Sequence, residues 1–338
     1  MEQWGPDWTE PGHIATNGPF TLEAWKRGEF LVLKRNPRYR GRFGGNVERV
    51  ELTLLPELPT TGEVELYHAG LVDWCMLRMD APEEIDRMRR LHAGEYVTLP
   101  HAATRYAAFD VRRAPVDDPR VRRAFAHAVD REAFAGATLG GYYSPATAGI
   151  VPPGMPGHVP GVALPYDPER ARELLAEAGY GGDSGFPPVD FLTAHPMHVE
   201  GKHLYEQWQE NLGVSLRWRE MPWAEYLEVV HRDPPHIFFM GWVGDYPDPD
   251  SWLRVAVQLH TAWRPRRYLE LVEQARQATD QEERMRLYAQ VERLLAGEVP
   301  LLPLTYGRTH MLLKPWVRRY PVSVRREPYW KDVIIEPH

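Results

Sequence analysis

The feature of this sequence that most constrains its fold is an alternation of strand-like and helix-like segments between residues 186 and 253. The segments are strands 186–193, 214–220 and 237–240 and helices 199–212 and 223–231. Strands that alternate with amphipathic helices favour an α/β layer with a mostly parallel sheet. In such layers, ligands bind beyond the carboxyl ends of the strands.

The last of these strands leads into a segment whose side chains suit ligand binding. The apolar run 237–240 breaks at Gly241 and Gly244, and Trp242, Asp245 and Tyr246 follow the strand before a helix that begins near residue 250. Aromatic faces attract cations, and a carboxylate accepts charge-assisted hydrogen bonds from an ammonium group. The same spacing also fits a turn capped by Asp245 and a tryptophan packed in the core.

The stretch resembles a motif of the family 5 solute-binding proteins, the dipeptide and oligopeptide receptors of bacterial ABC importers. Residues 241–250 read Gly-Trp-x-Gly-Asp-x-x-Asp-Pro-Asp after an apolar strand. The resemblance implies that Asp245 holds the α-ammonium group of a ligand. It also implies an α/β, two-lobed periplasmic-binding-protein-like fold of the class II type.

Further blocks extend the resemblance from about residue 4 to the end of the chain. They are Asn-Gly-Pro-Phe-x-Leu-x-x-Trp at 17–25, Arg-Asn-Pro-x-Tyr-x-Gly at 35–41, the helix block 116–131, the proline-rich loop 151–157 and the helix 166–180. Aspartate followed by proline at 118–119 and 167–168 predicts a capped helix start at each place. We interpret these blocks as scaffold that identifies the family.

The resemblance also implies a division into lobes. Residues 1–110 and 304–338 are expected to form lobe one, incomplete and β-rich, and residues 111–303 to form lobe two. Family members begin with a further long segment that supplies part of lobe one, so we expect a fold truncated at the N-terminus. An open sheet edge or exposed apolar surface should then mark lobe one.

Two more residues complete the predicted ligand-binding set. Dipeptide-type relatives place an arginine near 193–195 for the ligand carboxylate, and His195 stands there as a weaker, pH-dependent donor. Tyr106 lies on the strand that the family carries from one lobe to the other. The family's loop before residue 266 is shortened to 260–265 here, which leaves a longer peptide, a sugar or another cation open as the ligand.

Composition excludes several classes of function. The 338 residues carry a net charge of -7, which argues against a nucleic-acid or anionic-membrane binder. The single cysteine excludes an internal disulfide framework and a cysteine-based zinc site. No apolar run has the length of a membrane span, and the first residues lack the pattern of a signal peptide.

Catalytic and metal-binding patterns are weak, and the sequence predicts no metal site and no cofactor. His195 and His198 have an i, i+3 spacing, but Pro196 between them favours a loop. Asp248 and Asp250 are expected to stabilise a turn and to cap the helix that follows it. The segment 182–185 is too short for a Gly-x-Ser-x-Gly nucleophile motif.

The leading hypothesis is therefore a receptor without catalysis that closes two lobes on a peptide or similar amine-bearing ligand. It implies an ABC permease as partner, a monomer, and an extracytoplasmic location. One alternative is a cytoplasmic ligand-sensing domain of a transcriptional regulator, and another is a sugar-binding or metal-chelate-binding member of the same family. A hydrolase using Asp245 and a histidine is a third.

Overall fold

The computed structural model forms two compact units. One contains Met1–Thr98 and Thr309–His338, and the other contains Leu99–Arg308. The structure describes residues 3–54, 62–77, 82–181, 185–195, 197–323 and 325–338. The predicted lobe boundaries, after residue 110 and before residue 304, lie further toward the middle of the chain. Two long strands run through the observed boundaries without a break, so no turn signal marks them in the sequence.

The strands are β1 Phe20–Lys26, β2 Phe30–Arg35, β3 Arg49–Thr53, β4 Trp74–Met76, β5 Tyr96–Phe109, β6 Ser144–Pro145, β7 Val189–Ala194, β8 Leu216–Met221, β9 Ile237–Val243, β10 Leu301–Leu313, β11 Val317–Arg319 and β12 Ile334–Ile335. The helices are α1 Gly62–His68, α2 Pro82–Leu91, α3 Pro119–His127, α4 Arg131–Leu139, α5 Pro168–Glu177, α6 His198–Leu212, α7 Trp223–Arg232, α8 Val257–His260, α9 Arg266–Gln277 and α10 Gln281–Glu298. A π-helical segment, Ser251–Ala256, leads directly into α8.

The first unit is built mainly from antiparallel strands. The predicted hairpin joins β1 to β2, and β2 pairs with β3, which ends this sheet among the described residues. A small core of Phe20, Val47, Val50, Val317 and Val333 lies against the sheet. Beside β3 and β4 the described residues of this unit line a groove of about 760 Å³.

The second unit contains a sheet in the order β10-β5-β9-β7-β8. The predicted alternation is confirmed for β7, β8 and β9, because β7 runs parallel to both of its neighbours. The expectation of a mostly parallel sheet is wrong for β5, which pairs antiparallel with β9. β5 is a long strand outside the β-α-β alternation, so no crossover helix sets its direction.

Two helices of the second unit, α3 and α5, begin where the sequence predicts. Asp118 accepts a hydrogen bond from the Arg120 amide at the start of α3, and Asp167 accepts one from the Arg170 amide at the start of α5. The apolar face of α3, including Phe125, is fully buried in the core beneath the sheet.

Candidate functional site

β9 continues through Gly241 and Trp242, so the predicted break at Gly241 is wrong, and the chain turns only at Gly244. Gly244 donates its backbone N–H to the Ala102 carbonyl, 2.8 Å away, which extends the pairing with β5. A β-carbon at Gly244 would lie 2.3 Å from the Trp252 ring. Only glycine fits this approach, so the chain leaves the sheet here and enters the segment 245–250.

Ser251 holds the two principal predicted ligand residues in place. Its buried hydroxyl oxygen accepts hydrogen bonds from the indole Nε1 of Trp242 and from the backbone N–H of Asp245, each 3.0 Å long. The side chain of Asp245 is exposed. One serine therefore links the half-buried indole of Trp242 to the backbone of the exposed Asp245, a link that the sequence interpretation missed.

Tyr246 serves a different cluster. Its hydroxyl donates to Asp250 Oδ2 at 2.7 Å, and Arg254 and Tyr288 donate to the same carboxylate. Burial acts to raise the pKa of Asp250, but the hydrogen bonds from Arg254 and Tyr246 outweigh it and hold that pKa below its ordinary value. Burial and the Asp250 carboxylate together raise the pKa of Tyr246 to about 12.

Asp248 makes the kind of turn contact that the sequence predicts, whereas Asp250 does not cap the helix that follows it. Asp248 does accept from the backbone N–H of Asp250, at 2.9 Å, and both of its carboxylate oxygens also accept from Arg284. Asp250 makes no capping hydrogen bond from its side chain. Its position before the helix suggested a cap, but its carboxylate points to Arg254 one helical turn later.

Tyr106 lies beneath the candidate site. Its ring is fully buried, and its hydroxyl lies 2.6 Å from Nδ1 of His260. The His260 ring in turn meets the Trp242 ring edge to face at 5.7 Å between centroids. Burial lowers the pKa of His260 to about 4, with a smaller contribution from His231. Tyr106 thus supports Trp242 through a neutral histidine and presents no surface to solvent here.

His195 lies at the carboxyl end of β7 and is exposed. Its backbone N–H donates to the Met221 carbonyl at 3.0 Å. The cation that the structure adds to this edge is Arg105, which pairs across the sheet with Gly241 and forms an ion pair with the buried Glu200. Arg105 lies on β5, far from 193–195 in sequence, so local spacing gave no signal for it.

His198, one of the two histidines considered as metal ligands, lies next to a carboxylate. His198 Nδ1 lies 2.6 Å from Glu220 Oε2, and Pro196, on which the loop interpretation rested, is outside the described residues, as is most of 182–185. No group of three or more His, Cys, Asp or Glu side chains among the described residues could hold a metal ion. Within the same residues, no helix combines the length and apolarity needed to cross a bilayer.

Sequence comparison finds that this chain is similar to periplasmic binding proteins. YgiS of Escherichia coli, a probable deoxycholate-binding periplasmic protein, is 29% identical over 349 aligned residues that cover 99% of this chain and 63% of that protein. The periplasmic oligopeptide-binding protein OppA of Escherichia coli is 27% identical over 95% of this chain and 60% of its own length. The chain thus spans about three fifths of the length of these curated relatives.

Solved structures show the same fold. The unliganded open form of the murein tripeptide-binding protein MppA superposes with a TM-score of 0.82 at 24% identity, covering 99% of this chain and 67% of that one. HbpA2 of Haemophilus parasuis superposes with a TM-score of 0.79 at 19% identity, covering 95% of this chain and 64% of that one. The fold is that of the two-lobed periplasmic binding proteins.

The family itself is established by a sequence model that covers most of the chain. The model described as bacterial extracellular solute-binding proteins, family 5 Middle, matches residues 1–258. This range includes β9, the segment 245–250 and Ser251. The chain belongs to family 5 of the bacterial extracellular solute-binding proteins.

Proposed function

We propose that this chain is part of the solute-binding component of an ABC-type importer and binds a peptide or a similar amine-bearing ligand without catalysis. The observation that carries the proposal is the Ser251 hydroxyl, which accepts from both the Trp242 indole and the backbone N–H of Asp245, an exposed residue. A carboxylate next to a flat ring suits an ammonium group, because both attract positive charge.

The relatives support this choice of ligand. OppA and MppA of Escherichia coli are named for oligopeptides and murein peptides, and the Haemophilus influenzae OppA structure holds the peptide RPPGFSPFR. All three belong to the same fold family as this chain. We extend the periplasmic setting of the two Escherichia coli proteins to this protein and propose an extracytoplasmic monomer that delivers ligand to an ABC permease.

A second ligand class has its own support. YgiS is named for deoxycholate, an amphipathic anion that has no ammonium group. Such a ligand would gain nothing from Asp245 and would favour a cation instead. Arg105 is the cation at the same edge of the sheet, but Glu200 pairs with it. The geometry therefore favours the amine-bearing ligand.

Calorimetric titration of the purified protein with trialanine, N-acetyl-trialanine and deoxycholate tests the proposal. We expect trialanine to bind more tightly than its acetylated form, because acetylation removes the ammonium group. Asp245→Asn should weaken trialanine binding by about 2 kcal/mol or more, roughly 30-fold. The variant should then bind both peptides equally.

The matched control is Asp117→Asn, which changes an exposed aspartate in the loop before α3. It should leave every affinity unchanged. Equal binding of the two peptides by the unmodified protein would contradict the role of Asp245. Binding of deoxycholate alone would contradict the peptide proposal and identify an anionic ligand class.

A further inference from the structure

A short buried segment of the second unit, Gly149–Val151, is held by side chains rather than by strand pairing. The Gly149 carbonyl accepts from the Tyr306 hydroxyl at 2.6 Å, and the Ile150 carbonyl accepts from the Thr104 hydroxyl at 2.7 Å. The Val151 carbonyl lies 2.7 Å from His158 Nδ1. Buried backbone groups need such partners, so this segment depends on the side chains around it.

Glu292 of α10 supplies the partner for the backbone N–H groups. Its Oε1 accepts from the Val151 N–H at 2.9 Å, and the Ile150 N–H also hydrogen-bonds to the carboxyl group. The carboxyl lies directly against the Gly149 backbone, where an added β-carbon would be 2.1 Å from Oε1. Glycine at 149 is therefore required for this contact.

The same carboxyl is buried, and no cation among the described residues forms an ion pair with it. Glu292 is 0% exposed, and its Oε2 has no hydrogen-bond partner within the described part of the chain. It lines a cavity of about 20 Å³, large enough for one water molecule. Arg131 lines the cavity too, but its Nε and Nη1 donate to the carbonyls of Pro303 and Leu164.

The other titratable groups around the carboxyl do not neutralise it either. The Tyr306 hydroxyl and the His158 ring serve the backbone carbonyls of 149 and 151. Burial therefore dominates and raises the pKa of Glu292 to about 8, although the N–H groups of Val151 and Ile150 act to lower it.

The held segment continues into a loop that touches the candidate site. Gly157, in the left-handed region at φ +78, lies against Pro249, and a β-carbon there would be 2.8 Å from the proline Cβ. Pro249 stands between Asp248 and Asp250 in the segment that follows Asp245. The loop 149–158 therefore supports the segment that carries the predicted ligand residue.

We propose that Glu292 is a pH-sensitive clamp: its protonated carboxyl holds Gly149–Val151 in place, and loss of that proton loosens the segment and the support it gives to Pro249. A carboxylate in this position is desolvated and pairs with no cation of the described residues, so ionisation favours an opened segment that admits water.

Proton linkage determines how strongly pH changes the population of the open segment. The carboxyl titrates near 8 when the segment is closed and near its ordinary value of 4.5 when it is open to water. Between these values each unit of pH should increase the population of the open state about tenfold. Below pH 4.5 both states are protonated, and the population should not depend on Glu292.

Amide hydrogen exchange of Ile150 and Val151, measured from pH 5.5 to 9 in the unmodified protein and in Glu292→Gln, tests the clamp. Glutamine keeps the acceptor oxygen and the shape but cannot ionise. The ratio of the two exchange rates cancels the intrinsic pH dependence. We expect this ratio to rise about tenfold per pH unit up to about pH 8 and then level off.

A ratio that stays constant across the range would overturn the proposal. Glu282→Gln, an exposed position on the same helix, is the matched control and should exchange like the unmodified protein at every pH. If Glu292→Gln unfolds, the unmodified protein and Glu282→Gln still test the proposal. In both, the exchange rates of the 150 and 151 amides should rise with pH faster than the intrinsic exchange rate does.

The link to Pro249 rests on the proposed function and has its own measurement. Trialanine affinity should fall more steeply from pH 6 to pH 8.5 in the unmodified protein than in Glu292→Gln, where only the ligand's own α-amino group, with an ordinary pKa of about 8, loses its charge. Equal pH profiles together with a rising exchange ratio would overturn the link. A protein that binds no trialanine at any pH contradicts the proposed function and leaves the exchange result intact.

Discussion

Two buried carboxyl groups of the second unit, Asp250 and Glu292, are held in opposite ways. Asp250 is 6% exposed and accepts hydrogen bonds from Arg254, Tyr246 and Tyr288. Glu292 is 0% exposed, and the hydrogen bonds it accepts from described residues come from backbone N–H groups. Both lose solvation on burial, yet the pKa of Asp250 falls and that of Glu292 rises. A nearby guanidinium group, rather than burial, decides the sign.

The difference separates a permanent charge from a conditional one. Asp250 stays ionised throughout the physiological range, so its cluster is a fixed support for Tyr246 and the π-helical segment. Glu292 changes its charge near neutral pH, so its contacts with 149–151 depend on conditions. Only the second arrangement can respond to pH in the range where the protein works.

The largest expected effect is the pH dependence of stability at Glu292. Its folded pKa, about 8, lies above the ordinary 4.5. From pH 5 to 8 the unfolded chain ionises while the folded protein does not, so the free energy of unfolding should fall by about 1.4 kcal/mol per pH unit, about 4 kcal/mol in total. Glu292→Gln should remove this slope in urea unfolding. Parallel curves for both proteins would show that the carboxyl is already ionised when folded.

A somewhat smaller effect is expected at Asp250. Asp250→Asn leaves the partly buried Arg254 without its partner and should lower the free energy of unfolding at pH 7 by about 3 kcal/mol. Because the folded pKa lies below the ordinary 3.8, this stabilisation is complete above that value and is lost as the pH falls through the folded pKa.

Urea unfolding at pH 7 and at pH 3 measures both parts of this prediction. The gap between Asp250→Asn and the unmodified protein should be wide at pH 7 and narrower at pH 3. A gap that widens on acidification would mean that Arg254 does not stabilise the ionised form.

Several features that depend on local pattern could be predicted from the sequence. Aspartate before proline located the starts of α3 and α5, and the alternation of strands and helices located β7, β8 and β9, because capping and amphipathic periodicity act within a few residues. The position of Asp245 after β9 was likewise readable, since glycines and the strand end are adjacent in sequence.

The sequence was insufficient where distant segments meet. From the sequence alone, Ser251 is an ordinary helix residue. In the structure, the turn at Gly244 brings Trp242 and Asp245 to its hydroxyl. Glu292 reads as one more acidic residue of α10, which is rich in charge. Only the approach of Gly149 reveals it as the acceptor for a buried segment.

The smallest expected effect on stability is at Asp245, which carries the proposed function. Its side chain is exposed, in contrast to Asp250 five residues later. Asp245→Asn should change the free energy of unfolding of the ligand-free protein by less than about 0.5 kcal/mol, as is usual at exposed positions. The same chemical change at Asp250 is expected to cost several times more.

Urea unfolding of the two variants side by side provides the comparison. Equal losses would assign Asp245 to the scaffold and leave Trp242 without its carboxylate partner for a ligand. If Asp245→Asn leaves the free energy of unfolding unchanged but weakens trialanine binding, Asp245 acts in ligand binding, whereas Asp250 stabilises the fold.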